Sequence, residues 1–442
     1  MSIINSTGKL WKDQRRFLHD KLRQFGMTYM GNGKHNMEKR IMAEVEDYIN
    51  YLRVADGQPM DMAPAISVAV SNVICSIMMS VRFSINDPKF RRFNYLIEEG
   101  MRLFGEIHTV DYIPTVQYLP SILTAKNKII KNRKEMQKFY QDVIDEHKKT
   151  FDSTNIRDLI DFYLAEIEKA KTEGRDDELF DGKNQEEQIV QVIIDLFSAG
   201  METIKTTLLW INVFMLRNPD AMRRVQDELD QVVGRHRLPS IEDIPFLPIT
   251  ESTILESMRR SSIVPLATTH SPTRRIYVSR LLRNACLHMQ MYIECGALMR
   301  IHYCVWSVEN SILQTEHIET GSMNWAERVH MDPNLWDKPE EFNPRRFLDA
   351  EGKVRKPEYF IPFGVGRRMC LGDVLARMEL FLFFSSFMHS FRITLPDGQP
   401  LPSLKGNVGA TITPESFKVC LTPRPLITNV VETHHMRNVG SN

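Results

Sequence analysis

The sequence predicts a mainly α-helical protein with a minor β portion, and three observations carry that prediction. Apolar residues recur at helical spacing through most of roughly the first 260 positions. Segments with strand character are few and late. Gly (21) and Pro (22) together make up about a tenth of the 442 residues, a little under the usual share of about 12%. Hydrophobic residues at 43% and charged residues at 25% are ordinary globular usage, which excludes a disordered chain, a collagen and a coiled-coil rod.

The elements follow in order. Residues 11–24 (WKDQRRFLHDKLRQ) carry Trp11, Arg15, Leu18 and Leu22 at helical spacing. Residues 37–54 and 64–80 repeat the pattern, the second being more apolar and so more buried. A turn at Ala55-Asp56-Gly57-Gln58-Pro59 separates them. Residues 167–187 are charge-dense around Gly174 and Gly182 and read as a solvated connection. The longest helical pattern runs over 185–217 and stops at Asn218-Pro219. It is apolar nearly all round, through Val192, Phe197, Ile204, Leu208, Trp210 and Phe214, which makes it a central helix. Further helices are expected from Pro219 to near Gly234 and over about 248–261. Short strands are expected at 276–278, 391–395, 409–413 and 417–421, bounded by Gly, Pro and Asp.

Charge and cysteine usage bound the function classes. Lys+Arg and Asp+Glu are both 56, so the net charge is zero. No global attraction to nucleic acid or to an anionic membrane follows. Six cysteines (Cys75, Cys286, Cys295, Cys304, Cys370 and Cys420) make no disulfide framework, and a reducing compartment is the default. No apolar run reaches 18 residues, and the most apolar stretch, Leu380 to Met388, reads as a buried helix.

Chemistry concentrates in Phe363-Gly364-Val365-Gly366-Arg367-Arg368-Met369-Cys370-Leu371-Gly372. The glycines permit a tight loop whose amides can point at the sulfur, and a helical pattern begins at about Leu371. Cys370 is thus placed at a helix N-terminus, where dipole and free N–H groups favour a thiolate, and Arg368 adds positive charge. On these residues alone the thiolate can serve as metal ligand, redox thiol or nucleophile, and a purely structural cysteine is the commoner case. The string fits Phe-x-x-Gly-x-Arg-x-Cys-x-Gly in full and resembles the haem-binding loop of the cytochrome P450 monooxygenases. That resemblance implies that Cys370 is the proximal thiolate ligand of haem iron, with Phe363, Gly364, Arg368 and Gly372 contacting the cofactor. A thiolate ligand pushes electron density to favour O–O cleavage.

Three further strings agree in order. Ala199-Gly200-Met201-Glu202-Thr203, inside the long helix, resembles the family's oxygen-activation motif. A glycine weakens a helix interior by about 1 kcal/mol, and a local distortion at Gly200 is expected to make room for dioxygen. The resemblance gives Thr203 an oxygen-binding hydrogen bond and Glu202 a proton relay, with Ala199 and Gly200 in the same catalytic string. Glu256-Ser257-Met258-Arg259 puts Glu256 and Arg259 on one helix face. Pro344-Arg345-Arg346-Phe347 resembles the family's Pro-x-Arg-Phe element, so Arg346 is expected to complete a Glu–Arg–Arg cluster supporting the haem loop. Trp11-Lys12-Asp13-Gln14-Arg15 resembles the family's Trp-x-x-x-Arg, which implies that Trp11 and Arg15 bind a haem propionate. His270 and Arg368 are implied as further propionate contacts.

The resemblance covers nearly the whole chain and is most specific to the microsomal steroid-hydroxylating group, the arthropod ecdysteroid 26-hydroxylases in particular. It implies one haem domain with haem b and electrons from NADPH through NADPH–cytochrome P450 reductase. It further implies O2 as co-substrate, an apolar steroid hydroxylated at C-26, and the cytoplasmic face of the endoplasmic reticulum membrane, with no nucleic-acid partner. Lys12, Arg16, Lys21, Arg23 and Arg367 are candidate contacts to an acidic reductase surface. Residues 95–118, 192–203, Ile263 to Thr268 and 408–416 are candidate pocket linings. Two departures from the family pattern stand out. Trp11 lies almost at the start, so the membrane anchor, early helices and first strands are read as missing. The match also fails over about 275–325, read as a non-family insert or a mistranslated segment. A zinc site there from Cys286, His288, Cys295, His302 and Cys304 matches no standard spacing. A broad-substrate xenobiotic oxidase and a non-catalytic, haem-deficient fragment are the competing readings.

Overall fold

The computed structural model describes residues 3–4, 6–28, 31, 33–107, 110, 114–175, 179–265 and 326–424. The strand expected at 276–278, His270 and the segment 275–325 lie outside the described residues.

The helices in chain order are α1 (Gly8–Gln24), α2 (Gly33–Arg53), α3 (Ala63–Met78), α4 (Pro88–Ile107), α5 (Pro120–Thr150), α6 (Leu159–Thr172), α7 (Gln185–Arg217), α8 (Pro219–Val232), α9 (Pro248–Ser261), α10 (Ala326–His330) and α11 (Asp373–Ser390). Local chemistry sets their ends. The Asp158 side chain accepts from the Asp161 N–H and caps α6, and Asn184 accepts from the Glu187 N–H and caps α7. Proline opens α5, α8 and α9, where a missing N–H costs nothing.

The core is built on α7, 33 residues long and buried along most of its second half. At about 1.5 Å per residue it spans roughly 50 Å. Helix α3 packs along it, and α11 packs against α2, α7 and α8. Every residue of α11 from Met378 to Ser390 is buried, which accounts for the apolarity of that stretch. The β portion is two antiparallel pairs. Strand β1 (Phe391–Thr394) pairs with β4 (Cys420–Pro423), and β2 (Gly406–Val408) pairs with β3 (Ile412–Pro414).

Two sequence expectations are corrected. The segment 409–413 is not one strand: 409–411 form the turn of the β2–β3 hairpin. That turn is fixed by α4, because the Ala410 N–H donates to the Met101 carbonyl at 3.1 Å. Gly105 is required there, since a Cβ would lie 2.7 Å from the Gly409 backbone. The charge-dense stretch 167–187 is not simply solvated, for α6 runs to Thr172 and Phe180 is buried against Tyr163. Helices α4 and α5, which the sequence analysis does not single out, add a layer over the central helix.

Candidate active site

A cavity of about 1330 Å³ opens between α1, α3, α7 and the loop preceding α11. Single small-molecule sites usually measure about 300–1,000 Å³, so this space has room for a prosthetic group and a substrate together. Its walls are largely apolar, with Ile74, Ile77 and Met78 from α3, Leu196 and Ile204 from α7, and Leu375 from α11. Trp11, Arg15, Ala199, Gly200, Thr203, Phe363, Gly364, Arg368, Cys370 and Gly372 all line it.

The Cys370 loop is shaped by its glycines. Gly364 (φ 73) and Gly366 (φ 77) occupy the left-handed region that side chains disfavour. The Cys370 N–H donates to the Phe363 carbonyl at 2.9 Å, and the Arg377 guanidinium lies 4.7 Å from the Phe363 ring centroid. Cys370 is exposed to the cavity. Burial pushes the thiol up, and this outweighs the Gly372 N–H and the Arg15 and Arg377 charges that pull it down. The sequence reading placed the helix N-terminus at about Leu371, and the structure puts it slightly later. Helix α11 starts only at Asp373, after Gly372, so its dipole acts from further away. A bound cation must displace the thiol proton.

A cationic corner faces the sulfur. Arg15 Nη2 donates to the Met369 carbonyl at 2.6 Å, and Arg368 Nη2 donates to the Ser6 carbonyl at 2.7 Å. The Arg368 guanidinium lies 4.0 Å from the Trp11 ring centroid, and that of Arg15 lies 6.0 Å away. Burial and then the neighbouring Arg15 charge hold Arg368 below its usual value. Two guanidiniums that repel each other across an indole call for an anionic partner. A soft sulfur ligand, a cationic corner and apolar walls on one large cavity fit a haem with its propionates at Trp11, Arg15 and Arg368.

On α7 the structure separates neighbours in the motif. Thr203 faces the cavity, and its Oγ1 donates to the Ala199 carbonyl at 2.7 Å. Glu202 does not line the cavity: it is buried on another face, with Oε2 2.7 Å from Lys205 Nζ and Oε1 accepting from Thr206 and Thr411. Lys205 also reaches Glu98 at 3.0 Å, and both carboxylates raise it against the opposing effect of burial. In this structure Glu202 is held off the cavity in an ion pair that ties α7 to α4 and the hairpin turn. Helix α7 also runs unbroken through Gly200. A Cβ there would lie 2.7 Å from Ile74 Cδ1, so the glycine lets α3 and α7 touch.

Other expectations shift in the same way. Of residues 95–118 and 408–416, none of the described ones lines this cavity, and α4 and the hairpin turn pack on each other. Ile263 and Val264 do line it, and 266–268 lie outside the described residues. Of the basic residues, Lys12 and Arg367 line the cavity, Lys21 sits over the Phe17 and Phe162 rings, and Arg16 and Arg23 are exposed. Sequence reasoning missed Asp195, whose Oδ2 accepts from the Ile4 N–H at 3.1 Å on the cavity wall. An acidic residue within an apolar helical run was the available signal.

Glu256, Arg259 and Arg346 meet behind the loop. Glu256 and Arg259 are fully buried and joined by two hydrogen bonds of 2.8 and 2.9 Å. Arg346 Nε and the Asn343 N–H both donate to Glu256 Oε1, at 3.1 and 2.8 Å. Arg259 further donates to the His330 and Pro339 carbonyls at 2.6 and 2.8 Å. Such complete satisfaction is what makes a buried charge cluster tolerable.

Known proteins match this sequence along most of its length. The cytochrome P450 family model matches residues 1–280 and 319–421. Cytochrome P450 18a1 of Drosophila melanogaster is 74% identical over 440 residues, covering 100% of this chain and 76% of that protein. Cytochrome P450 2U1 of Mus musculus is 34% identical over 420 residues, 94% of this chain and 71% of that protein. Human cytochrome P450 2D6 is 34% identical over 422 residues, 94% of this chain and 75% of that protein. Matches of this length, spanning the cysteine loop, the cationic corner and α7, mean that the chain belongs to the cytochrome P450 family of haem monooxygenases, which use O2 and electrons from a redox partner.

Proposed function

We propose that the chain hydroxylates a steroid, an ecdysteroid at C-26, with electrons from NADPH delivered by NADPH–cytochrome P450 reductase at the cytoplasmic face of the endoplasmic reticulum. The observation that carries the steroid class is the cavity of about 1330 Å³, apolar on most sides, with Thr203 and Cys370 on its walls. The ecdysteroid and the membrane rest on the likeness to the microsomal steroid-hydroxylating group. Among the described residues no helix is long and apolar enough to cross a membrane. The segment 275–325 is proposed as a non-family insert or a mistranslated segment, supported by the break in the family match between 280 and 319.

Haem bound at Cys370 supplies the activation of dioxygen. The chain's own residues do the rest. Trp11, Arg15 and Arg368 orient the cofactor through its carboxylates, and the isoleucines of α3 exclude water from the reacting C–H bond. Thr203 is placed to turn its hydroxyl from the Ala199 carbonyl toward oxygen in the cavity and to hold a proton there.

The test uses the haem-loaded full chain with purified reductase. An ecdysteroid should shift the haem spin state on titration and yield a C-26 hydroxylated product dependent on NADPH. Turnover of a panel of unrelated drug-like molecules at equal efficiency, with no preference for the steroid, would favour the broad-substrate oxidase.

A further inference from the structure

We propose that His330 is the positioning residue that fixes the Cys370 loop against the core, holding the Ile361 amide on one ring nitrogen and the Ser262 hydroxyl on the other. The proposal rests on Cys370 being the haem ligand. His330 ends α10, is fully buried and lies on the cavity wall beside Ile361 and Ser262.

Geometry alone assigns its protons. The Ile361 N–H donates to His330 Nε2 at 3.0 Å, so Nε2 carries no hydrogen and Nδ1 must carry it. Ser262 Oγ lies 3.0 Å from Nδ1 and is free to accept, because its own hydrogen goes to the Arg259 carbonyl at 3.0 Å. Ser262 sits at the end of α9 in the left-handed region (φ 35), a conformation that a serine keeps only when its surroundings hold it. From Ile361 the link continues to the sulfur. The Gly364 N–H donates to the Ile361 carbonyl at 3.0 Å, and the Cys370 N–H donates to the Phe363 carbonyl at 2.9 Å. A connected path of hydrogen bonds and short chain segments thus joins the end of α9 to Cys370.

The Glu–Arg–Arg cluster does not duplicate this link. It grips the His330 backbone carbonyl through Arg259, whereas the imidazole takes the Ile361 amide, which none of the three cluster side chains does among the described residues. Burial and then the Arg259 charge lower His330 to about 4, so the ring stays a neutral acceptor at physiological pH. Phe360 packs 5.5 Å from the imidazole, centroid to centroid, and limits its rotation.

The experiment compares wild type, His330→Gln, His330→Leu and Ser262→Ala as haem-loaded full chains. Haem content is measured first. The reduced carbon monoxide spectrum is then followed in time for conversion of the thiolate-ligated band to the thiol-ligated one. Glutamine can accept from Ile361 and donate to Ser262, so its conversion rate should stay within about twofold of wild type. Leucine fills the space but strands a buried N–H, and conversion should be at least about tenfold faster. Ser262→Ala should fall between. A leucine variant that loads haem and converts at the wild-type rate overturns the proposal, as does a haem-loaded glutamine variant as fast as leucine. If leucine prevents folding, Ser262→Ala decides: faster conversion supports the link and a wild-type rate overturns it. A wild-type protein with haem but no thiolate band overturns the ligand assignment itself.

Discussion

Thr203 and Glu202 are adjacent in sequence and separated by about 100° around a helix, and that rotation puts Thr203 on the cavity and Glu202 off it. The Thr203 hydroxyl is spent on the Ala199 carbonyl in the resting protein while facing the cavity. Thr203→Ala should therefore leave haem content and substrate affinity nearly unchanged. Its cost falls during oxygen activation, where the hydroxyl is needed and the resting contact is not. Product formed per NADPH should drop several-fold while hydrogen peroxide rises, and an unchanged ratio would remove Thr203 from the mechanism. The motif made both residues visible in the sequence. Which of them faces the cavity was not legible, because it depends on how α3 and α4 pack on α7, and helical spacing within one segment carries no record of its partners.

Elements show the same boundary between what a pattern contains and what packing adds. The span of α7 was readable because its apolarity is continuous and it stops at Asn218-Pro219. The buried residues of α5 (Ala125, Asn132, Met136, Tyr140, Ile144 and His147) are widely spaced on a charged surface, and strands of three residues are too short to show a period. Gly200 is legible as a glycine in a helix, but its reason lies across the interface at Ile74. Gly200→Ala should destabilise the protein by about 1–3 kcal/mol through overpacking. In an Ile74→Val background, which lacks the Cδ1 atom, denaturant unfolding should show that cost shrink; an equal cost would place the role of Gly200 elsewhere. The α5–α6 joint offers a pH test. His147 Nδ1 lies 2.8 Å from the Val143 carbonyl and Nε2 lies 2.7 Å from Asp158 Oδ2, so both nitrogens face acceptors and the ring is an imidazolium. Burial opposes that charge, but Asp158 and the Val143 carbonyl prevail and raise His147 above its ordinary value. A group with a raised folded-state pKa stabilises fully below its unfolded value of about 6.5 and loses that contribution as pH rises through the folded value. Melting temperatures of wild type should thus fall more steeply above about pH 6.5 than those of His147→Gln; parallel curves would contradict the imidazolium assignment.

At the scale of the whole molecule, the site draws on α1, α7 and the loop before α11, segments separated by well over a hundred residues. Periodicity found each segment, and only the family resemblance brought them together, since net neutrality and composition say nothing about which ends of which helices meet. What unites them physically is a charge arrangement. The thiol of Cys370 is held up by burial, and the guanidiniums of Arg15 and Arg368 lie nearby with no carboxylate paired to either among the described residues. Iron at the sulfur and carboxylates at the arginines satisfy both ends at once. The reduced carbon monoxide spectrum tests this most directly, compared between the haem-loaded full chain and Cys370→Ala. Wild type should show the red-shifted Soret band of thiolate-ligated haem, and Cys370→Ala should lack it while keeping the fold by circular dichroism. The same red-shifted band in Cys370→Ala would contradict Cys370 as the ligand around which the cavity is organised.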